Sequence, residues 1–514
     1  MIKKIHIENF RSIKTIEFEP KNLCSFIGEN NVGKSNILSA IDLLLGEKWP
    51  ANRLSESDIH NHDESLEVKI QIFFDEPIKH EYYRKILEID GFALKYNFNE
   101  GTILYCLDET GGEVLTQYGK GLYLNNAIRG QIPCVFIGVN RNLERELSGS
   151  QWTLFGKLLK EIEKEFLEDD NRKYEYQRGM NDINDLLRIE SFNRLEGIIE
   201  EHVKKLTGFV DADLRFVEPT ILDHYKNLDL IVKESYDFDK FSALVMGAGL
   251  QSAIVIALIQ AYKELRKTGA ILLIEEPEVY LHPHARRYFY SLIKDLSGEG
   301  HQIFYTTHST EFVDLPNYET ICIVRKTASI GTKINQVRHL PIPEESKEEL
   351  KLLTQFDAAR NELFFARKVL LVEGQTERFS LPHLFVLKGI EPDINGISVM
   401  DVGGKENLVF FIKILKSFSI PFVVLHDEDS TANNYATYHD GVNGLNAKIE
   451  RAIGDSSLVF RMDPDFEGIF GLSGGNKIRN AIKKVRNVEK EDIPTVIDNA
   501  INKLINITKQ SKEE

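Results

Sequence analysis

The chain has 514 residues, 42% hydrophobic and 28% charged, a globular composition long enough for roughly two to four domains. Its formal charge of −16 excludes a uniformly basic nucleic-acid coat, although one basic cluster stands out at Lys477, Arg479, Lys483, Lys484 and Arg486. No apolar run reaches ~18 residues and MIKKIHIENF lacks a signal-peptide core, so a cytoplasmic chain without membrane contact is expected.

The alternating segments IHIENF, TIEFEP and LCSFIG within residues 2–28 predict strands, followed by a helix over about 35–45 and a strand at 67–74. Residues 80–135 read as short strands with Gly-containing turns. From about Trp152 to Leu206 charge is dense, and apolar residues such as Leu154, Leu158, Ile162 and Phe166 recur at three and four. This predicts a helical insertion, either an antiparallel hairpin or a dimer element. Strands are predicted at 213–219 and 228–234, a long apolar helix at 249–265, and buried strands within 270–278, 302–309 and 321–326. The Pro- and Glu-rich stretch 339–351 is a candidate linker. Beyond it KVLLVEG, GISVMDVGG, PFVVLHDED and SLVFRM alternate with helical segments, which predicts a parallel sheet covered on both faces. Cys24, Cys106, Cys134 and Cys322 form no CxxC pair and read as buried free thiols.

GENNVGKS, residues 28–35, fits G-x-x-x-x-G-K-S, follows a predicted strand and opens a predicted helix. Gly28 and Gly33 let the backbone wrap a phosphate, and the loop, with Asn31 and Asn36, presents itself to ATP at a helix N-terminus. Lys34 is expected on the β- and γ-phosphates and Ser35 on Mg²⁺. In ILLIEEPE, Glu275 ends a buried strand where a Mg²⁺-coordinating acid is expected, and Glu276 is placed to orient or deprotonate the attacking water. His308, after QIFYTT, is placed to sense the γ-phosphate.

IENFRSIKTIEFEP followed by IGENNVGKSNIL resembles the N-terminus of ABC-type ATPases of the SMC, Rad50 and RecF kind. That resemblance implies a signature loop that caps ATP on a second subunit. MGAGLQS (246–252) occupies its place, with Gly247, Gly249 and Ser252 offering close backbone approach and a hydroxyl. The chain has neither a coiled coil of SMC length nor a zinc hook, which excludes a long-range DNA tether.

The C-terminal third carries a second constellation. KVLLVEGQTE places Glu373 at a strand end and Glu377 across the turn if a helix starts near Gln375; MDVGGKENL adds a Gly-Gly turn with Lys405. In VVLHDED, Asp427 and Asp429 fall two apart, on one face of an extended strand, with Glu428 on the other. Parallel strands would bring Glu373, Asp401, Asp427 and Asp429 to one edge, where unpaired carboxylates repel and a divalent ion relieves them. Oxygen donors without Cys or paired His point to Mg²⁺ or Mn²⁺, and two such ions suit phosphodiester cleavage. Glu467 is a further candidate ligand, and Lys477 a candidate for stabilising the charged phosphate.

LVEG-x-x-E, then GGK, then D-x-D resembles the Toprim domain, and its position after an ABC ATPase is similar to the OLD (overcoming lysogenization defect) endonucleases. The resemblance implies an α/β fold, an ABC-type P-loop ATPase over about 1–350 with a helical dimerisation insert at about 150–207. A linker at 351–365 and a Toprim nuclease domain at 366–514 complete it. It implies metal ligands Glu373, Glu377, Asp427, Asp429 and Glu467 and a catalytic Lys477. It also implies ATP as cofactor, DNA as substrate, a homodimer or higher oligomer, and service in anti-phage defence beside a helicase-like protein or a reverse transcriptase with its DNA–RNA product. The alternative is an ATP-dependent DNA-binding or sensor module whose Toprim domain is regulatory. A topoisomerase-like enzyme would need a nucleophile such as Tyr435 or Tyr438 on a DNA-gripping domain, which the sequence does not provide.

Overall fold

The alternating N-terminal segments form an antiparallel pair, β1 (Ile2–Phe10) and β2 (Ile13–Phe18), that buries Ile5, Ile7, Ile13 and Ile16. The computed structural model describes residues 1–514 except 47, 84, 142, 148–149, 151–152, 208–213, 218, 227, 229, 234–239, 266–268, 328, 341–357, 431–443, 473–474 and 508–514. Most of the predicted linker, Trp152, Tyr435 and Tyr438 therefore lie outside the described residues.

One large sheet organises residues 1–336. Its further strands are β3 (Leu23–Ile27), β4 (Val68–Tyr82), β5 (Lys85–Asn97), β6 (Gly101–Leu107) and β7 (Cys134–Ile137). A separate small hairpin pairs β8 (Ile231–Val232) with β9 (Phe241–Ser242). The large sheet is completed by β10 (Ile271–Glu275), β11 (Gln302–Thr306), β12 (Ile321–Thr327) and β13 (Gly331–Gln336). The order is β6-β5-β4-β1-β2-β13-β12-β3-β11-β10-β7. From β12 to β7 every pairing is parallel; from β13 to β6 every pairing is antiparallel.

The parallel half is buried on both faces, so its strands are continuous apolar runs. Leu273 and Phe304 face the helix Lys34–Leu45, while Leu272, Ile274 and Tyr305 face the helices Ala248–Leu265 and Pro283–Gly298. The insertion folds as three helices, Leu154–Glu168, Asp170–Leu187 and Glu190–Thr207. Leu154 and Leu158 anchor the first of them in the apolar cluster beside β7 and β10.

The second sheet contains β14 (Lys368–Val372), β15 (Ile397–Asp401), β16 (Phe422–Asp427) and β17 (Val459–Met462), in the order β15-β14-β16-β17 and all parallel, as the sequence predicts. Leu370 and Val372 face the helices Gln375–Leu387, Lys477–Arg486 and Thr495–Asn506. Val369 and Leu371 face the helices Leu408–Ser417 and Leu445–Ile453. That second cluster also contains Ile27, Ile321 and Ile323 of the large sheet, so the two sheets share one apolar core.

Three expectations change. The region after residue 80 holds long strands, β4 with 15 residues and β5 with 13, joined across a register shift between Phe73 and Ile78. The strand predicted at 228–234 shrinks to Ile231–Val232. The described part of 213–219 forms no strand, because the Leu214 backbone is bonded to helix side chains: its N–H donates to Glu196 and its carbonyl accepts from Arg188.

Phe418 is fully buried in the shared core and packs edge-on against Phe364 at 5.1 Å. Phe418→Ala is expected to cost about 3–5 kcal/mol in urea denaturation. Hydrogen exchange should report lost protection in both β3 and β14.

Candidate functional site

The turn between β3 and the helix Lys34–Leu45 has glycine where no side chain fits. A Cβ on Gly28 (φ 145°) would lie 2.3 Å from the Val324 carbonyl oxygen, and one on Gly33 (φ 105°) 2.4 Å from Thr332 Oγ1. Asn31 also has left-handed backbone, at φ 62°. Lys34 folds into the loop, its Nζ donating to the Gly28 and Glu29 carbonyls at 2.9 and 2.8 Å. Burial pushes its pKa down to about 8, against the pull of Glu276, Glu278 and Glu29. Asn36 donates from Nδ2 to Ser12 Oγ at 2.8 Å, which ties the helix start to the β1–β2 turn.

Parallel pairing sets β10 and β11 beside β3 in the same sheet. Glu275, at the end of β10, is bonded to the Ser35 side chain; burial raises its pKa and that bond opposes the rise. Glu276 takes left-handed backbone (φ 42°), and its amide donates to the Thr306 carbonyl at 3.0 Å. His308 Nε2 lies 3.9 Å from Glu276 Oε1. Burial and the nearby Lys34 hold the His308 pKa down. Lys34, Ser35, Glu275, Glu276 and His308 thus form one group. Gly249 takes no part in its bonds; it is exposed in the first turn of Ala248–Leu265. Ser252 is fully buried, so the surface hydroxyl expected of that loop is turned into the core by the helix that carries it.

Two residues here escaped the sequence reading. Glu278 is nearly buried and accepts from Thr307 Oγ1 at 2.9 Å and from the His308 amide at 2.7 Å, so it fixes the loop that carries His308. The third acid of IEEPE is its only sequence signal. Arg141, also buried, donates to the Glu276 carbonyl at 3.2 Å and to the Pro277 carbonyl. Nothing in its surroundings in the sequence marks it.

In the smaller sheet, the ends of β14, β15 and β16 deliver Glu373, Asp401 and Asp427 to one edge. The helix Gln375–Leu387 starts directly after Gly374 and buries Glu377 in its first turn. Glu373 Oε1 accepts from the Asp427 amide at 2.8 Å, and Asp427 Oδ1 accepts from the Phe466 amide at 2.9 Å. Lys405 is only 3% exposed. Its Nζ donates to the Asp427 carbonyl at 2.5 Å and to Asp429 Oδ2 at 2.6 Å, and sits 3.9 Å from Glu373 Oε1. Lys477 Nζ meets Glu467 Oε1 at 3.1 Å.

Burial is the first cause of the high carboxyl pKa values, and mutual repulsion adds to it. Glu373 is pushed up to about 7 despite Lys405. Glu377 and Asp427 rise to about 8, each further raised by an acidic neighbour, Asp427 and Glu373 respectively. Among the described residues these acids do not converge on one point as a preformed ligand set. Asp429 turns to Lys405, and Glu467 to Lys477.

Two expectations at this edge are corrected. Asp427 and Asp429 are not on one face of a strand: β16 ends at Asp427, and Asp429 has left-handed backbone at φ 59°. It is the turn that brings both to Lys405. Asp401 reaches the edge but pairs with Arg378 at 2.9 Å. Glu428 points away, as expected, and pairs with Arg461 at 3.2 Å.

Residues 23–314 match the family described as "AAA domain, putative AbiEii toxin, Type IV TA system", and residues 364–429 match "Overcoming lysogenization defect protein-like, TOPRIM domain". The chain is 32% identical to the OLD nuclease of Thermus scotoductus, over 94% of this chain and 93% of that protein. It is 28% identical to the Old nuclease of Escherichia phage P2, over 85% of this chain and 79% of the relative. It is 23% identical to the endonuclease GajA of Bacillus cereus, over 83% and 74%.

Glu278→Ala strands the His308 amide and leaves the buried Thr307 hydroxyl only its longer bond to the Ser309 carbonyl, at 3.5 Å, so a loss of about 1–3 kcal/mol is expected in thermal denaturation. Glu278→Gln keeps one acceptor and should recover part of it. A second expectation concerns pH. Glu373, Glu377 and Asp427 hold protons in the folded state up to about 7, 8 and 8, well above the unfolded values of ~3.9–4.3. The folded chain then binds more protons than the unfolded chain, so this contribution is full below about pH 4 and is lost as pH rises through about 8. The Tm measured in chelator should fall from about pH 5 to about pH 8.5, and Asp427→Asn with Glu377→Gln should flatten that fall.

Proposed function

This chain belongs to the OLD nuclease family, and from that premise we propose that it is a Mg²⁺- or Mn²⁺-dependent DNA endonuclease gated by its ATP-binding head. The observation that carries the reading is the crowding of Glu373, Glu377 and Asp427, which burial and mutual repulsion leave short of positive charge. A divalent cation is the ligand that such a cluster accepts, and an all-oxygen donor set suits a hard one.

Glu373, Glu377, Asp427, Asp429 and Glu467 are assigned as the residues that hold metal. The bound metal would supply an activated water and charge for the leaving oxygen. Lys405 keeps Asp429 and the end of β16 in place beside Glu373. Lys477, within 3.1 Å of Glu467, is assigned to the developing charge on the scissile phosphate.

In the head, the amides of the Gly28–Gly33 loop and Asn31 cradle phosphate, and Lys34 exchanges two carbonyls for phosphate oxygens. Ser35 and Glu275 are assigned to the nucleotide's metal, Asn36 to the loop's anchorage, Glu276 to the attacking water and His308 to the γ-phosphate. Gly249 caps the nucleotide of a second copy. The exposed Ile183, Leu186, Leu187, Ile189, Leu195 and Ile198 of the insertion support dimerisation through that element. We assign the ATPase to about 1–350 and the nuclease to about 366–514. The family descriptions, one naming lysogenization and the other a toxin, support a place in conflict between phage and host.

Supercoiled plasmid incubated with Mg²⁺ or Mn²⁺, with and without ATP, tests the assignment. Asp427→Ala should reduce nicking by more than about 100-fold, because even groups that only orient a metal ligand are worth ~10–100-fold. Lys34→Ala should cleave without ATP and lose the ATP effect. Cleavage that survives in Asp427→Ala would sink the reading.

A further inference from the structure

The helix Lys477–Arg486 carries five basic residues and no acid, KIRNAIKKVR, in a chain with 79 acidic residues against 63 basic. Its inner face is fixed: Ala481 and Val485 are buried in the cluster that also holds Leu381 and Leu384 of the helix Gln375–Leu387. Arg479, Lys483 and Arg486 fall at i, i+4 and i+7, one stripe on the opposite, solvent face, and all three are exposed. No carboxylate of the described residues lies within ion-pair distance of any of them. Favourable interaction with the helix dipole accounts for cations in the last turn, Lys483, Lys484 and Arg486, but not for Arg479 in the first.

The position of the stripe is as informative as its charge. The first residue of the helix, Lys477, is bonded to Glu467, whose charge also raises the pKa of the buried Glu377. Arg479 follows two residues later, about half a helical turn on, so the stripe begins at the end of the helix that meets Glu467 and runs toward the other end. From residue 479 to 486 the helix rises about 10 Å at 1.5 Å per residue. Three nucleotides of one DNA strand rise about the same, at ~3.4 Å each.

We propose that Arg479, Lys483 and Arg486 form a phosphate track that holds the backbone of the DNA strand leading into the carboxylate site. The track positions DNA and reads no bases, because it offers a line of single cations and nothing shaped to a groove edge. The inference rests on the DNA-cleavage reading and adds to it the surface on which the substrate lies. These residues are positioning residues, outside the metal-binding and catalytic set.

The test is binding of a fluorescent DNA duplex to the full chain by anisotropy, in Ca²⁺ in place of Mg²⁺, between about 50 and 200 mM salt. Each phosphate contact contributes ~0.9 to the slope of log K against log salt. Arg479→Gln/Lys483→Gln/Arg486→Gln should lower that slope by about 2–3. Wild-type affinity should therefore fall over this range by ~40-fold more than that of the variant. The charge-preserving Arg479→Lys/Lys483→Arg/Arg486→Lys should keep the wild-type slope, and plasmid nicking by the Gln variant should recover at high DNA concentration. An unchanged slope in a folded Gln variant, with wild type binding and cutting DNA, overturns the track alone. A wild-type chain that neither binds nor cuts DNA overturns the track and the nuclease reading together.

Discussion

Parallel strand pairing is the constraint on which both sites depend. In a parallel sheet every strand leaves by the same edge, so the loops that can carry chemistry are gathered there without any further design. The larger sheet uses this edge three times, for the Gly28–Gly33 loop after β3, Glu275 and Glu276 after β10, and His308 after β11. The smaller sheet uses it again for Glu373 and Asp427. The same pairing forces the strands to be buried on both faces, and that burial is what sets the charge states at their ends. Lys34 is drawn toward neutrality, whereas Glu275, Glu373 and Asp427 hold their protons longer than free carboxyls.

Like charge at the second edge is met from within the chain. Lys405 enters from the Gly403–Gly404 turn and lies among Glu373, Asp427 and Asp429. Its tether is short: the Gly404 amide donates to the Glu373 carbonyl at 3.0 Å. A buried lysine with several acidic partners is costly to strip of any one of them. This explains how the fold keeps such a cluster in order.

What could be read from the sequence was whatever depends on local spacing. The phosphate loop, Glu275 and Glu276 at the end of a buried strand, the four strands of the smaller sheet and the helix start at Gln375 follow from residue type and period, and they stand where that spacing puts them. What was hidden depends on partners remote in the chain. Arg141 meets the Glu276 and Pro277 carbonyls from the loop after the neighbouring strand β7, and Arg378 removes Asp401 from the acidic group. The polar strand β13 exists because β2 and β12 flank it, not because GTKINQ has a strand's apolar alternation. The turn at Asp429 also escaped, because the run HDED gives no sign of where extension ends.

The Glu29–Arg367 pair has a consequence beyond its own strength. Glu29 lies in the phosphate loop, and its carbonyl is one of the two that Lys34 holds. Its carboxylate accepts from Nε and Nη2 of Arg367, at 2.6 and 2.8 Å, one residue before β14, the strand whose far end carries Glu373. At the surface such a pair adds little to stability. It nevertheless joins the phosphate loop directly to the residue before β14, and the length of that one strand, residues 368–372, separates the pair from Glu373 at the carboxylate edge. Linkage is symmetrical: whatever free energy an anion on the loop passes along that path, a cation at the far end passes back in equal measure. An affinity measured at either end then carries the concentration of the other ligand to the extent of that shared free energy, and to no greater extent.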